Sequence, residues 1–405
     1  MKKIKIVAIG DINKTGLGRA ICEPLCYLAE TGKYEIIQLA LGYTGWARYI
    51  NKEEYPYDLI PMRQSKWGRD ILPDILTIEK PDILFTMADW SHFDFISCPS
   101  EQNKVEYQLY HPANRKFKHL MYFPLDGLTF RDEPMQDVVD VTYQADIPVN
   151  CAPFSYNVLK KYIPHLHYIP HGIDTNLWKP VPKNRARAAM DLPQDKFIIG
   201  MVGTNQIRKQ FEDLFHAFSI FVENKDDVLL LPFTQFIAPE YEGSHNLEDL
   251  ALRLHIENKI INPEPTLGCP HELMNIIYNC MDVHTLLSLG EGFGYPAVEA
   301  RACGIPSLVS NHTACGDFVA HEFERIDNRA SFIGRMNNII RFLPDIGHIV
   351  SKWEELYLDW KKDKMFINML GKTGMDYVKN NLDSAKIFPE WDKLITAEVE
   401  KGVLV

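Results

Sequence analysis

Glu291-Gly292-Phe293-Gly294-Tyr295-Pro296-Ala297-Val298-Glu299, continuing as Ala300-Arg301-Ala302-Cys303-Gly304-Ile305-Pro306, is the stretch whose reading decides the fold. The apolar run Val283 to Leu289 leads into it, and glycines followed by a proline mark a tight turn that opens a helix. The order is strand, loop, helix. Pro296 suits a first helical position, where its missing N–H would have been unbonded anyway, so the amides of Gly294 and its neighbours face the positive end of the helix. Such an end attracts phosphate. Glu291 lies on the loop before that end and Glu299 about one turn inside it. Carboxylates repel phosphate but bind sugar hydroxyls, so the pairing points to a ligand that carries both. The plainer alternative is a strand-to-helix turn with packing glycines and solvated glutamates.

Upstream, Phe197 to Val202 reads as another buried strand. The polar loop Gly203-Thr204-Asn205-Gln206-Ile207-Arg208-Lys209-Gln210 follows, and then an amphipathic helix carrying Phe211, Leu214, Phe215 and Phe218. Two adjacent cations, Arg208 and Lys209, stand where a strand hands over to a helix, and they could neutralise a diphosphate. Taken with Glu291 and Glu299, this resembles the E-x7-E signature of the retaining glycosyltransferases of family 4, enzymes of GT-B fold. The resemblance runs from about Tyr168 to Asp317 and implies an α/β protein of two doubly wound, Rossmann-like domains facing across a cleft.

By that resemblance Glu299 would hold the nucleotide ribose and Glu291 the hydroxyls of the donor sugar. Lys209, with the Gly292, Phe293 and Gly294 backbone, would meet the diphosphate. The family places an arginine where Thr204 stands, so Arg208 is expected to supply that charge, with Thr204 lining the donor site. The donor would be a nucleotide-diphosphate sugar, giving up a hexose to an acceptor hydroxyl with no cofactor and no metal; the chain contains no Asp-x-Asp pair. A nucleotide-sugar epimerase of the same fold and a non-catalytic nucleotide-sugar binding protein are the alternatives.

The first half carries the resemblance more weakly. Ile4 to Ile9 reads as a buried strand, followed by Asn13-Lys14-Thr15-Gly16-Leu17-Gly18-Arg19 and a helix to Thr31-Gly32. A dinucleotide fingerprint would need a third glycine where Ile21 stands and an acid ending the second strand; both are missing. The loop resembles instead the family's first glycine-rich loop, in which Gly16 would approach the donor or acceptor. Further strands are expected at Ile83 to Thr86, Leu120 to Phe123 and Val138 to Thr142. Asp126, just past one of them in Pro124-Leu125-Asp126, is a candidate for binding a sugar hydroxyl. The family's acceptor-side histidine is missing from this place. Asp89, Trp90 and His92 follow the Ile83 strand and could line the same edge. Arg115-Lys116-Phe117-Lys118-His119 reads as a solvated basic face, with a peripheral membrane or acceptor contact as the lesser alternative.

Tyr168-Ile169-Pro170-His171-Gly172-Ile173-Asp174, leading to Pro180 and Pro182, has the composition of a junction. It resembles the family's interdomain segment, with His171 in place of the usual Asn. Domains are therefore expected at 1–178 (acceptor side) and 179–385 (donor side), with a last helix over 386–405 returning to the first. Within the second, strands are expected at Val228 to Pro232, Ile260 to Asn262 and Pro306 to Ser310, and helices at Glu272 to Tyr278, Phe332 to Leu343 and Trp353 to Trp360.

With 405 residues, two domains of ordinary size are the default. A hydrophobic content of 46% with 24% charged residues is that of a globular chain, and a net charge of −11 argues against nucleic-acid binding. The eight cysteines form neither a CxxC pair nor a ligand pattern and read as reduced thiols. No apolar run approaches the length that spans a bilayer. A cytoplasmic location is expected, with the acceptor open among glycans, lipid-linked sugars and small molecules.

Overall fold

The computed structural model describes residues 2–43, 45, 54–65, 67–238, 243–263, 269–334 and 338–402. It divides into two compact units, one of Met1–Gly172 with Ser384–Val405, the other of Ile173–Asp383.

The first unit is built on a parallel sheet of β1 (Ile4–Asp11), β2 (Tyr34–Leu41), β3 (Asp58–Pro61), β4 (Ile83–Met87), β5 (Lys118–Phe123), β6 (Ile147–Asn150) and β7 (His167–Tyr168). Their order is β3-β2-β1-β4-β5-β6-β7, so the sheet is wound outward in both directions from β1 and β4. Ile6 to Ile9 are fully buried because a central strand is covered on both faces. Adjacent residues of β4 make the point. Leu84 joins the cluster that includes Ile75 and Leu76 of the helix Leu72–Glu79, while Phe85 turns the other way and packs its ring 5.2 Å from Trp391.

Trp391 belongs to the helix Ser384–Glu400, which completes the first unit from the far end of the chain. Lys118 reaches Glu398 at 3.2 Å and Lys33 reaches Asp392 at 2.6 Å to hold it. Gly172 is required by the same packing, since a Cβ there would lie 2.6 Å from the Phe388 ring. The basic run around residue 115 is therefore largely internal: Arg115 is buried against Asp146 at 2.7 Å, and Lys118 clamps the last helix. At the end of the unit His171 is buried, with Nδ1 2.5 Å from the Tyr122 hydroxyl. Burial, helped by the Arg19 charge, pulls its pKa down to about 3, so the ring is neutral.

Val138 to Thr142, expected as a strand, lies in the helix Gln136–Tyr143. Its β-branched residues suggest a strand, but Val138, Val141 and Thr142 fall at i, i+3 and i+4 and bury one helical face. The Thr142 hydroxyl donates back to the Val138 carbonyl at 2.6 Å.

The second unit has β8 (Phe197–Val202), β9 (Val228–Phe233), β10 (Val283–Leu286), β11 (Ser307–Ser310) and β12 (Arg325–Ile326) in the order β12-β11-β10-β8-β9, again parallel. The order reverses between β8 and β10, the place where such sheets leave room for a ligand beyond their carboxyl ends. Ile260 to Asn262 forms no named strand; Ile260 makes only an isolated bridge with Leu230.

The expected helix over Phe332 to Leu343 is a hairpin of β13 (Asn328–Ile333) and β14 (Ile340–Pro344), with Phe332 opposite Arg341 and Ile333 opposite Ile340. Gly334 follows β13 and Asn338 (φ +53°) precedes β14, and both residue types are disfavoured in a helix interior. Trp353 to Trp360 is helical as expected, within Ile346–Lys362, and Trp353 is fully buried. Among the described residues no helix is long and apolar enough to cross a membrane.

Candidate active site

All strands of the second sheet run in parallel, so the loops after β8, β10 and β11 emerge at one edge. Gly203 and Thr204 leave β8, and Arg208 and Lys209 follow on a single helical turn. The chain reverses at Gln210 (φ +58°) to start the helix Phe211–Phe221. A backbone bond from the Leu289 N–H to the Arg208 carbonyl at 2.7 Å ties this loop to the one after β10.

The Glu291 carboxylate lies where these loops meet. One oxygen receives the Lys209 ammonium and the Ser288 hydroxyl, the latter at 2.5 Å; the other receives Arg208 Nη1 at 3.2 Å. Arg208 also donates to the Gly290 carbonyl at 3.4 Å and to Gln206 Oε1 at 3.2 Å. Glu291 and Lys209 are both buried, while the Arg208 side chain is 38% exposed. Burial by itself would raise the Glu291 pKa. The charges of Lys209 and Arg208, with hydrogen bonds from Lys209 and Ser288, reverse that and hold it at about 2. Burial lowers the Lys209 pKa and the Glu291 carboxylate opposes it. With Glu291 ionised, two cations and one anion leave a net charge of about +1, suited to an anionic ligand.

Gly294 (φ +90°) then turns the chain into the helix Tyr295–Ala302, with Pro296 in its first turn. Glu299 is buried on this helix and accepts the Tyr278 hydroxyl at 2.7 Å. Tyr278 is fully buried on the helix His271–Cys280, with ring centroids 5.8 Å from both Trp178 and His284. The Tyr295–Ala302 helix is pinned from behind by Arg301, whose buried guanidinium meets Glu324 at 3.1 Å and the Ser307 carbonyl at 2.8 Å.

The structure thus brings Lys209, Arg208 and Glu291 into one contact cluster. Thr204, Gly292, Phe293, Gly294 and Glu299 stand on the connected loops and helix. The acid expected to hold sugar and the cations expected to hold phosphate grip one another. Gly16 and Asp126 belong to the first unit. Gly16 is exposed at the start of the helix Gly16–Glu30, and Asp126 is half-buried in the loop after β5. The glycine that packing demands there is Gly18, whose Cβ would lie 2.0 Å from the Asn13 carbonyl oxygen. At the same edge Trp67 stacks on His92 with ring centroids 3.7 Å apart.

Sequence reasoning missed three partners: Ser288, Tyr278 and Thr313, whose hydroxyl accepts the Glu291 N–H at 3.1 Å. Ser288 had a signal, a hydroxyl three residues before the acid. Tyr278 and Thr313 are far from their partners along the chain and had none. Among the described residues no group of three or more His, Cys, Asp or Glu could hold a metal ion.

The family model of glycosyl transferases group 1 matches residues 182–364, which contain this whole cluster. The chain is similar to curated enzymes over part of its length: D-inositol 3-phosphate glycosyltransferase of Stackebrandtia nassauensis is 33% identical over 145 residues, 35% of this chain and 32% of that protein. D-inositol 3-phosphate glycosyltransferase 1 of Catenulispora acidiphila is 30% identical over 149 residues, 36% of this chain and 35% of that one. The match thus spans about a third of the length of these relatives.

Solved structures resemble the chain well beyond the group 1 segment. Sucrose-phosphate synthase from Thermosynechococcus elongatus superposes with a TM-score of 0.75 at 17% identity, covering 99% of this chain and 100% of that one. Anabaena HepE, solved with UDP-glucose, gives 0.71 at 13%, covering 97% and 100%. The shared fold is GT-B.

Proposed function

We propose that the protein is a retaining glycosyltransferase that moves a hexose from a nucleotide-diphosphate sugar to an acceptor hydroxyl. The observation that carries the reading is the buried Lys209–Glu291 pair with Arg208 beside it, one short turn from a helix that begins just after Gly294 and carries Glu299.

In this reading Glu299 holds the nucleotide ribose, its carboxylate oriented by Tyr278. The diphosphate lies against Arg208, Lys209 and the Phe293 and Gly294 backbone. Breaking the sugar–phosphate bond builds negative charge on the leaving phosphate and positive character on the anomeric carbon. Cations fixed in advance stabilise that charge without reorganising, which is worth roughly a hundredfold or more in rate for each donor. They do so in the place of a divalent ion. Glu291 aligns the two cations and turns an oxygen to the donor sugar's hydroxyls when the ligand arrives. The first unit, with Gly16 and Asp126 at its carboxyl edge, takes the acceptor. Free thiols on Cys22, Cys26, Cys98, Cys280, Cys303 and Cys315 suit a cytoplasmic setting.

Calorimetry with UDP, GDP and ADP, each with EDTA present, tests the donor side, UDP first because HepE was solved with UDP-glucose. Product analysis with the sugar nucleotide that binds then decides the rest. Release of free or transferred sugar with its anomeric configuration kept supports the proposal. An isomerised sugar nucleotide would make the protein an epimerase, and binding without turnover would leave a carrier or scaffold.

A further inference from the structure

Thr313 carries a feature that the proposed chemistry does not by itself explain. Its φ is +50°, in the left-handed region, and of the described non-glycine residues there it alone is β-branched. The others are Lys, Asp, Gln, Asn and His, which reach this region at less cost. A threonine survives in such a conformation when its surroundings over-determine it, and strained residues of this kind gather at functional sites.

The surroundings here are the peptide of Glu291. Its N–H donates to the Thr313 hydroxyl at 3.1 Å, and the next residue after Thr313, Ala314, returns an N–H to the Glu291 carbonyl at 3.3 Å. Thr313 is itself buried, at 8% exposure. A glycine at 313 would adopt the same backbone freely and keep the Ala314 bond, but it would lose the hydroxyl. A hydroxyl on Cβ lets residue 313 bracket Glu291 from both its N–H and its carbonyl.

We propose that Thr313 is a positioning residue whose strained backbone holds its hydroxyl under the Glu291 amide and so fixes the carboxylate on Lys209 and Arg208. This rests on the proposed donor role of that cluster and assigns the residue that sets its geometry.

The test is a series at one position, read by melting temperature, by single-turnover cleavage of the sugar nucleotide, and by carbon NMR titration of the Glu291 carboxyl. Thr313→Gly relieves the strain and removes the hydroxyl. It should melt at or up to about 2–4 °C above the parent, cleave donor about tenfold more slowly, and bring the Glu291 carboxyl up from about 2 toward the ordinary range. Thr313→Ser keeps the hydroxyl on an easier backbone and should melt no lower than the parent, with turnover within about twofold. A purely structural threonine would move stability and rate in the same direction. The proposal is overturned if Thr313→Gly keeps parental turnover and an unshifted Glu291 titration, or if Thr313→Ser loses as much rate as Thr313→Gly. Should the parent cleave no sugar nucleotide, the functional reading fails on that result alone, and the NMR titration still decides the role of Thr313.

Discussion

The carboxyl edges of the two sheets differ in how far their loops are bonded to one another. At the second, the loops after β8, β10 and β11 are bonded to one another: Leu289 to Arg208, Glu291 to Lys209 and Arg208, Glu291 to Thr313. At the first, the loop after β1 is bonded mostly within itself, with hydrogen-bond ties outward: the Ile12 N–H donates to the Leu41 carbonyl at 3.3 Å and the Tyr55 hydroxyl donates to the Ile12 carbonyl at 3.0 Å. Asp11 accepts from the Asn13 amide at 2.9 Å and from the Thr15 hydroxyl at 2.7 Å, while Thr15 caps its own helix through the Gly18 N–H at 3.1 Å. An edge that must hold a charged leaving group fixed needs partners from several strands. A loop with few outward bonds can vary with less disturbance to its neighbours, as the proposed acceptor side would need.

The sharpest way to break this contrast is Lys209→Ala. If the second edge is a mutually supported unit, the change lowers single-turnover donor cleavage about a hundredfold or more. It also destabilises the unit by about 3 kcal/mol in denaturant unfolding, because the buried Glu291 carboxylate loses its buried cation and keeps only Ser288 and the part-exposed Arg208. The double variant Lys209→Met with Glu291→Gln should recover much of that stability and none of the rate. Full recovery of both would remove the cluster from the chemistry.

Next comes acid. The Glu291 pKa is depressed in the folded state to about 2 from an ordinary 4.5, so its stabilising contribution is complete above pH 4.5 and disappears as pH falls from there toward 2. Melting temperatures across that window should fall less steeply in Glu291→Gln than in the parent. Parallel slopes would mean that the pair does not govern acid stability.

A smaller effect is expected from Tyr278→Phe. Losing one hydrogen bond to a carboxylate should weaken nucleoside diphosphate binding about tenfold, less than Glu299→Ala, with unchanged affinity for pyrophosphate, which has no ribose. Equal losses for both ligands would separate Tyr278 from the ribose. Smallest is Asp126→Asn at the first edge: the acceptor KM should rise a few-fold while donor hydrolysis stays at the parental rate. A matching fall in donor hydrolysis would show that the two edges do not divide the labour.

What the sequence revealed follows the same division. Phe197 to Val202 could be read because a buried parallel strand is a continuous apolar run, and the glycines and Pro296 announce the turn into a helix after Val283 to Leu286. Arg208, Lys209, Glu291 and Glu299 were visible as residue types in order. Their mutual contact was not, because it depends on loops brought together by strands that are distant along the chain. Lys209 looked like a cation waiting for phosphate, whereas it is half of a buried pair, so its removal acts on stability as well as rate. Val138 to Thr142 and Phe332 to Leu343 were misread for a local reason. Short apolar segments fit helix and strand periods alike, and packing or a turn decides between them.

The return of the helix Ser384–Glu400 to the first unit has a consequence for biosynthesis. Trp391 fills the space against Phe85 and Tyr122, so the amino-terminal sheet leaves the ribosome with that face uncovered and stays so until the helix Ser384–Glu400 has emerged. The carboxyl-terminal sheet draws on one unbroken segment and can assemble first. A chain interrupted after residue 383 would retain the second unit and lose the cover of the first, leaving exposed aromatic rings of the kind that chaperones and proteases recognise.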